Sequence, residues 1–472
     1  MLFSSTVFLY LFLPLLIILY YTIFAGKRLA QNVLLLIASL FFYAWGEPKF
    51  VVIMIASIMI NWLFGILVDK YRSNEIVEKV IIILAVVFNL FILFVFKYLA
   101  FAGNIVNSLF DMHLVVPNIA LPIGISFFTF QGMSYVVDVY RQKGEVQTNL
   151  LNVGLYISFF PQLIAGPIVR YETVANEINY RKETLDDFVD GFARFIVGMA
   201  KKVLLANSFA LLADTAFDLV TTGAGYSVGY AWFGAIAYTF QIFFDFSGYS
   251  DMAIGLGRMF GFHFLENFNY PYISTSISEF WRRWHMSLGT WFRDYLYFPL
   301  GGSRVSKNRV IFNLFVVWAF TGLWHGANLT FVIWGLMYFV LITFEKLSGF
   351  EKKGSKNLLP LKWIYTMFFV VLGFVIFRAD NLSEAIVYIR TMFGMNANAL
   401  IDGVFLANVS QNLIIYVIAA FASTPIFKCI GERTKENGFV QYACKFGLIM
   451  LFILSVSSLV SNSYNPFIYF NF

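Results

Sequence analysis

Apolar runs long enough to cross a bilayer recur along the whole chain, at about residues 2–24, 30–46, 50–68, 80–102, 150–168, 228–246, 310–344, 362–377, 411–427 and 440–460. A spanning helix needs about 20 such residues. With shorter apolar segments near 120–137 and 192–217 added, the pattern predicts an all-α integral membrane protein of roughly ten to thirteen membrane-embedded helices. No soluble domain, low-complexity linker or internal repeat interrupts the series, so one polytopic domain over residues 1–472 is expected.

The polar positions between the runs predict where the regular hairpin plan fails. Leu121–Gln131 carries Pro122 and Gly124 with Ser126, Thr129 and Gln131; Phe159–Arg170 carries Pro161, Gln162, Gly166 and Pro167; Asp245–Asp251 reads Asp-Phe-Ser-Gly-Tyr-Ser-Asp. Irregular polar backbone at membrane depth persists only where it lines a cavity or is buried in protein. These segments therefore point to an internal cavity, with a surface loop as the alternative for each. Val310–Phe344 holds no charged residue. As one helix it would extend about 50 Å, against a bilayer core of about 30 Å. It must break, and the two glycines of Thr321-Gly322-Leu323-Trp324-His325-Gly326-Ala327-Asn328 mark the place.

A histidine at that break, His325, is costly in apolar surroundings unless paired or useful. A neutral imidazole can take a proton from an attacking hydroxyl near neutral pH, or carry an acyl group itself. A buried histidine bonded to a neighbouring helix is the structural alternative. Upstream, Ser276 and Glu279 have capping-box spacing, which predicts a helix running to about Phe292. Trp281, Trp284, Leu288 and Trp291 would share one of its faces, and Arg282, His285, Gly289 and Arg293 another. So basic a helix does not span lipid and is expected to lie at the interface or shielded in the protein. His285 is the second candidate for the chemistry. Arg282, Arg283, Arg304 and Arg309 are candidates to meet donor phosphates, with lipid headgroups the alternative for each. His113 and His263 lack such a setting and are expected to be structural. Gly257 and Gly261 are expected to form a close-packing pair.

Composition narrows the classes. Of 472 residues 60% are hydrophobic and only 13% charged, against about 25% charged in soluble domains. Aromatics reach 20%, with 57 Phe, which suits wide helix interfaces and interfacial belts. The net charge of +6 falls mostly between apolar runs, where it serves topology and anionic headgroups; no nucleic-acid motif accompanies it. Lys27 and Arg28 follow the first run, Lys49 alone fills the next loop, and Lys70, Arg72 and Lys79 the one after. This alternation predicts a first transmembrane helix that starts outside and ends in the cytoplasm, since a cleavable signal would place its cations first. Arg304, Lys307 and Arg309 form a further cluster, as do Lys346, Lys352, Lys353, Lys356 and Lys362, the latter expected to be cytoplasmic. Cys429 and Cys444 give no disulfide framework, and four histidines without His-x-x-x-His or Cys-x-x-Cys pairing predict no metal site. Nucleophile-elbow, phosphate-loop and dinucleotide-binding signatures are missing. An activated donor must therefore come from elsewhere.

Phe280-Trp281-Arg282-Arg283-Trp284-His285-Met286-Ser287-Leu288, then Trp291-Phe292-Arg293-Asp294-Tyr295, resembles the signature of bacterial membrane-bound O-acyltransferases, and Trp324-His325-Gly326 resembles that family's second histidine motif. The resemblance extends to Phe160–Pro167, Asp245–Asp251 and the aromatic end Pro466–Phe472, and is nearest to the alginate O-acetyltransferase branch. It implies a ring of helices around a thin centre with a tunnel or funnel, His325 as principal catalytic histidine and His285 as a second motif residue. It also implies a multi-pass protein of the bacterial inner membrane, with acetyl-CoA as cytoplasmic donor. The acyl group would cross the membrane to a polysaccharide or cell-wall polymer, with a separate extracytoplasmic acetyltransferase as partner. D-alanyl transfer to teichoic acid is a more distant alternative within the resemblance. A transporter without chemistry and a docking scaffold are alternatives from other classes.

Overall fold

The computed structural model describes residues 1–117, 119–222, 226–350, 358–434, 437–461 and 464–468. Lys352, Lys353 and Lys356 of the second cationic cluster, and residues 469–472 of the aromatic end, lie outside them. The described residues are helical and contain no strand. Among them, seven helices are long and apolar enough to cross a membrane: Val51–Lys70, Glu75–Phe110, Leu185–Thr221, Leu329–Ser348, Leu359–Arg378, Gly403–Ala422 and Gly438–Ser461. Phe8–Ile23 and Arg28–Ala44 are shorter apolar helices.

The chain forms two compact units, one of residues 1–196 with 249–265, the other of residues 197–248 with 266–472. In the first, polar side chains hold apolar helices together. Asn61 on Val51–Lys70 and Asn89 on Glu75–Phe110 exchange amide hydrogen bonds of 3.2 and 2.8 Å. Where lipid offers no hydrogen bond, such a pair fixes helix register. Phe159–Val169 is buried throughout, so this irregular stretch is enclosed by protein. Gly191 and Gly255 are the close-packing glycines of this unit, since a Cβ on Gly255 would stand 2.4 Å from the Gly191 carbonyl. The expected Gly257–Gly261 pair is corrected: Gly261 has φ +79° in the turn after Val228–Met259, and Gly257 packs against Phe264.

The second unit is organised by the hairpin of Lys307–His325 and Leu329–Ser348. The long apolar run breaks within the glycine-flanked segment, where Asn328 caps the second helix by accepting from Thr330 N at 3.2 Å. The two helices touch at Gly322 and Gly335, where a Cβ on either would stand 2.5 Å from a backbone carbonyl of the other. Trp281 sits among Trp318, Trp334 and Tyr338, with ring centres at 4.9–5.4 Å. This aromatic packing, together with Glu345, sets the position of the helix Ile277–Arg283. The buried Glu345 carboxylate accepts from Ile277 N, Ser278 N and Ser278 Oγ at 2.6–2.8 Å, placing negative charge at a helix N-terminus.

Asp245–Asp251 is not the irregular segment expected. It lies inside one continuous helix, Val228–Met259. Each aspartate has a cation of its own, Asp245 with Lys202 at 2.7 Å and Asp251 with Arg194 at 2.9 Å. Pairing makes a buried carboxylate tolerable without bending the backbone.

Candidate active site

His325 is the last residue of Lys307–His325 and is 5% exposed. Trp324, Trp334 and Phe377 surround its ring with centres at 5.0–5.2 Å, all edge-on. A void of about 10 Å³ adjoins it, lined also by Ile242, Phe246, Trp284, Phe374 and Ile468. That is room for about one water.

His285 arrives by a route the helical pattern does not predict. The helix from Ser276 stops at Arg283 and a second runs from Met286 to Phe292, with His285 between them at φ 44° and ψ 51°. A left-handed, non-glycine residue costs about 1–3 kcal/mol and persists only where its surroundings over-determine it. Asn267 supplies that constraint. Its carbonyl accepts from Met286 N at 2.9 Å. Its Oδ1 accepts from Ser287 N at 3.2 Å and Ser287 Oγ at 2.8 Å, and faces His285 Nδ1 at 3.2 Å. The expected single face of Arg282, His285, Gly289 and Arg293 therefore does not exist, because the break turns His285 away.

The same contacts fix the imidazole's tautomer. A backbone N–H only donates, so the Asn267 atom facing Ser287 N is the oxygen. His285 Nδ1 must then carry the hydrogen, leaving the lone pair on Nε2. That atom is buried and makes no hydrogen bond among the described residues. Burial pushes the imidazole down to about 3, so it is neutral at physiological pH. Phe246 packs edge-on at 4.6 Å, and the His325 ring centre lies 6.5 Å away. Two imidazoles thus stand close together in an aromatic enclosure, with His325 beside a water-sized void. Sequence pattern alone did not single out Asn267; an asparagine beside an aromatic run carries no signal of its own.

Replacing Asn267 by Ala removes the acceptor from three donors. It is expected to destabilise the protein by about 1–3 kcal/mol, the cost of stranding a buried polar group, and to lower activity by freeing His285 to turn. Thermal unfolding in detergent alongside an acetylation assay checks both; a variant matching wild type in the two would remove Asn267 from this role.

The other candidates stand elsewhere. Arg283 pairs with Glu279 at 3.0 Å. Arg282 and Arg304 are exposed, and none of the three lines the void beside His325. Arg309 lies over the ring of Phe312 at 5.2 Å. His263 is half-exposed and faces Glu177 at 2.9 Å, and His113 is exposed.

Sequence comparison places the chain among known proteins. The sequence model of the membrane-bound O-acyltransferase family matches residues 139–382. The chain is 39% identical to the Pseudomonas aeruginosa protein named "Probable alginate O-acetylase AlgI", over all of both chains. It is 32% identical to the peptidoglycan O-acetyltransferase of Helicobacter pylori, over all of this chain and 98% of that one. It is 30% identical to the teichoic acid D-alanyltransferase of Bacillus subtilis, over 54% of this chain and 68% of that one.

Proposed function

The chain belongs to the membrane-bound O-acyltransferase family, and on that premise we propose that it moves an acetyl group from a cytoplasmic thioester, acetyl-CoA, to an extracytoplasmic polysaccharide or cell-wall polymer. It is a multi-pass membrane protein and an O-acyltransferase, and the relatives that align over its full length are named for O-acetylation of alginate or peptidoglycan. The observation that carries the reading is the pair of buried imidazoles with ring centres 6.5 Å apart at the end of an apolar hairpin.

The charge pattern supports one orientation in the membrane. Arg304 precedes the first hairpin helix and Lys307 and Arg309 stand in its first turn, while Lys346 stands in the last turn of the second, with Lys352, Lys353, Lys356 and Lys362 following in sequence. The positive-inside rule favours a cytoplasmic side for those ends, which supports the opposite half for His325 at the turn. In the reaction an imidazole nitrogen takes the acceptor's hydroxyl proton, the oxygen attacks the thioester carbonyl, and the C–S bond breaks. The thiolate leaves with that proton. His325 is the base in this scheme and His285, held by Asn267, supports it. A partner acetyltransferase outside the membrane would extend delivery to polymers that do not reach the turn.

Membrane vesicles containing the full chain and its native acceptor, given radiolabelled acetyl-CoA on the cytoplasmic face, are expected to form base-labile labelled ester on the polymer. Label that crosses only as intact substrate, with no new ester, would make the protein a transporter.

A further inference from the structure

The void beside His325 has walls of one chemical kind. Apart from His325 itself, every side chain that lines it is aliphatic or aromatic. A buried water needs about two to four polar partners, and such walls offer few. An apolar group suits the space better, since apolar cavities stay dry and take up apolar ligands. The volume of about 10 Å³ limits what can enter. Room for about one water is room for a methyl group after small side-chain movements, and for nothing longer.

The walls are held from behind. Ile242 and Phe246 stand one turn apart on Val228–Met259 and line the void together. Trp284 packs against Phe268, Phe280 and Phe374 with ring centres at 5.1–5.5 Å. Ile468 is anchored by its N–H, which donates to Asp245 at 3.0 Å. Walls packed in this way yield little, because an extra methylene in a close-packed site forces side chains off their rotamers.

We propose that this void receives the methyl group of the transferred acetyl and restricts the enzyme to that acyl group, with Ile242 and Ile468 as specificity-determining residues. The proposal rests on the acyl-transfer reading above. In that reading the thioester carbonyl is attacked beside His325, and the methyl carbon lies one C–C bond, about 1.5 Å, beyond the carbonyl. The void adjoining the imidazole takes that carbon. A propionyl group would press a further methylene against Ile242 or Ile468, and one methylene in an apolar pocket discriminates by about 10–200-fold. A D-alanyl group would bring an ammonium ion as well. No carboxylate lines the void among the described residues, and a buried charge without a partner is costly.

The test is acyl transfer by the full chain in membrane vesicles whose own glycans serve as acceptor. Labelled acetyl-CoA, propionyl-CoA or D-alanyl-CoA is supplied to the cytoplasmic face. Wild type is expected to favour acetyl over propionyl in kcat/KM by about 10–200-fold. Ile242→Ala and Ile468→Ala should each narrow that preference by about tenfold or more, and neither should use D-alanyl. Ile242→Val removes a single methyl, should narrow the preference by a smaller factor, and serves where the alanine variant fails to fold. The preference is a ratio within one preparation, so a partly unfolded fraction does not alter it. Equal use of propionyl by wild type, use of D-alanyl, or a preference unmoved by these variants would overturn the proposal while leaving acyl transfer intact. Absence of ester from every donor would reject the acyl-transfer reading and the proposal with it, so the two failures are separable.

Discussion

His325→Ala is expected to lower polymer O-acetylation by about 10²–10⁴-fold, the range assigned to a positioned acid–base group, while the protein still inserts and folds. The ring is enclosed by Trp324, Trp334 and Phe377, but its loss does not touch the Gly322–Gly335 contact that sets the hairpin. The deleted volume adjoins an existing void. His325→Gln keeps most of the side chain's bulk and polarity without a basic or nucleophilic nitrogen. It should be as inactive as the alanine variant, which separates chemistry from packing. If the two imidazoles work as one unit, His285→Ala with His325→Ala should be no worse than His325→Ala alone, because groups acting together are not additive. The readout is labelled ester on the acceptor, with yield and detergent melting as controls. Retention of more than about a tenth of wild-type activity in a well-folded His325→Ala protein would remove the histidine from the reaction.

Much of this site is visible in the sequence because its determinants are local. The break before Asn328 follows from the length of an uncharged run and two glycines. The start of the Ile277–Arg283 helix follows from Ser276, whose Oγ accepts from Glu279 N at 2.9 Å, while Glu279 reaches back to Thr275 N at 2.9 Å. Hidden features depend on distant partners. Nothing between Trp284 and His285 marks a helix end; the break is imposed by Asn267, 18 residues upstream of the imidazole. Asp245 and Asp251 look like a polar interruption because Lys202 and Arg194 lie far away in sequence. The cavity lined by Asp214, Asp218, Asp380 and Glu384 is likewise assembled from separate segments, none of them conspicuous alone.

The largest stability effect is expected at Lys202. It and Asp245 are 2% and 3% exposed and 2.7 Å apart. Removing one member leaves the other charge buried without compensation, which costs about 3–5 kcal/mol. Lys202→Met should therefore lower the thermal midpoint of the full chain more than either histidine variant does. The pair also holds Pro466 and Ile468 in place. Lys202 Nζ donates to the Pro466 carbonyl, and Asp245 Oδ2 accepts from Ile468 N at 3.0 Å. Ile468 is a wall of the void beside His325. Stability and activity should then separate in the double variant. Lys202→Met with Asp245→Leu replaces two buried charges by apolar side chains, an exchange that is often neutral or stabilising, so most of the melting temperature should return. Ile468 N would still lack its acceptor, the wall of the void would loosen, and acetylation should stay low. A single variant as stable as wild type, or a double variant with full activity, would show that the ion pair neither supports the fold nor shapes the site.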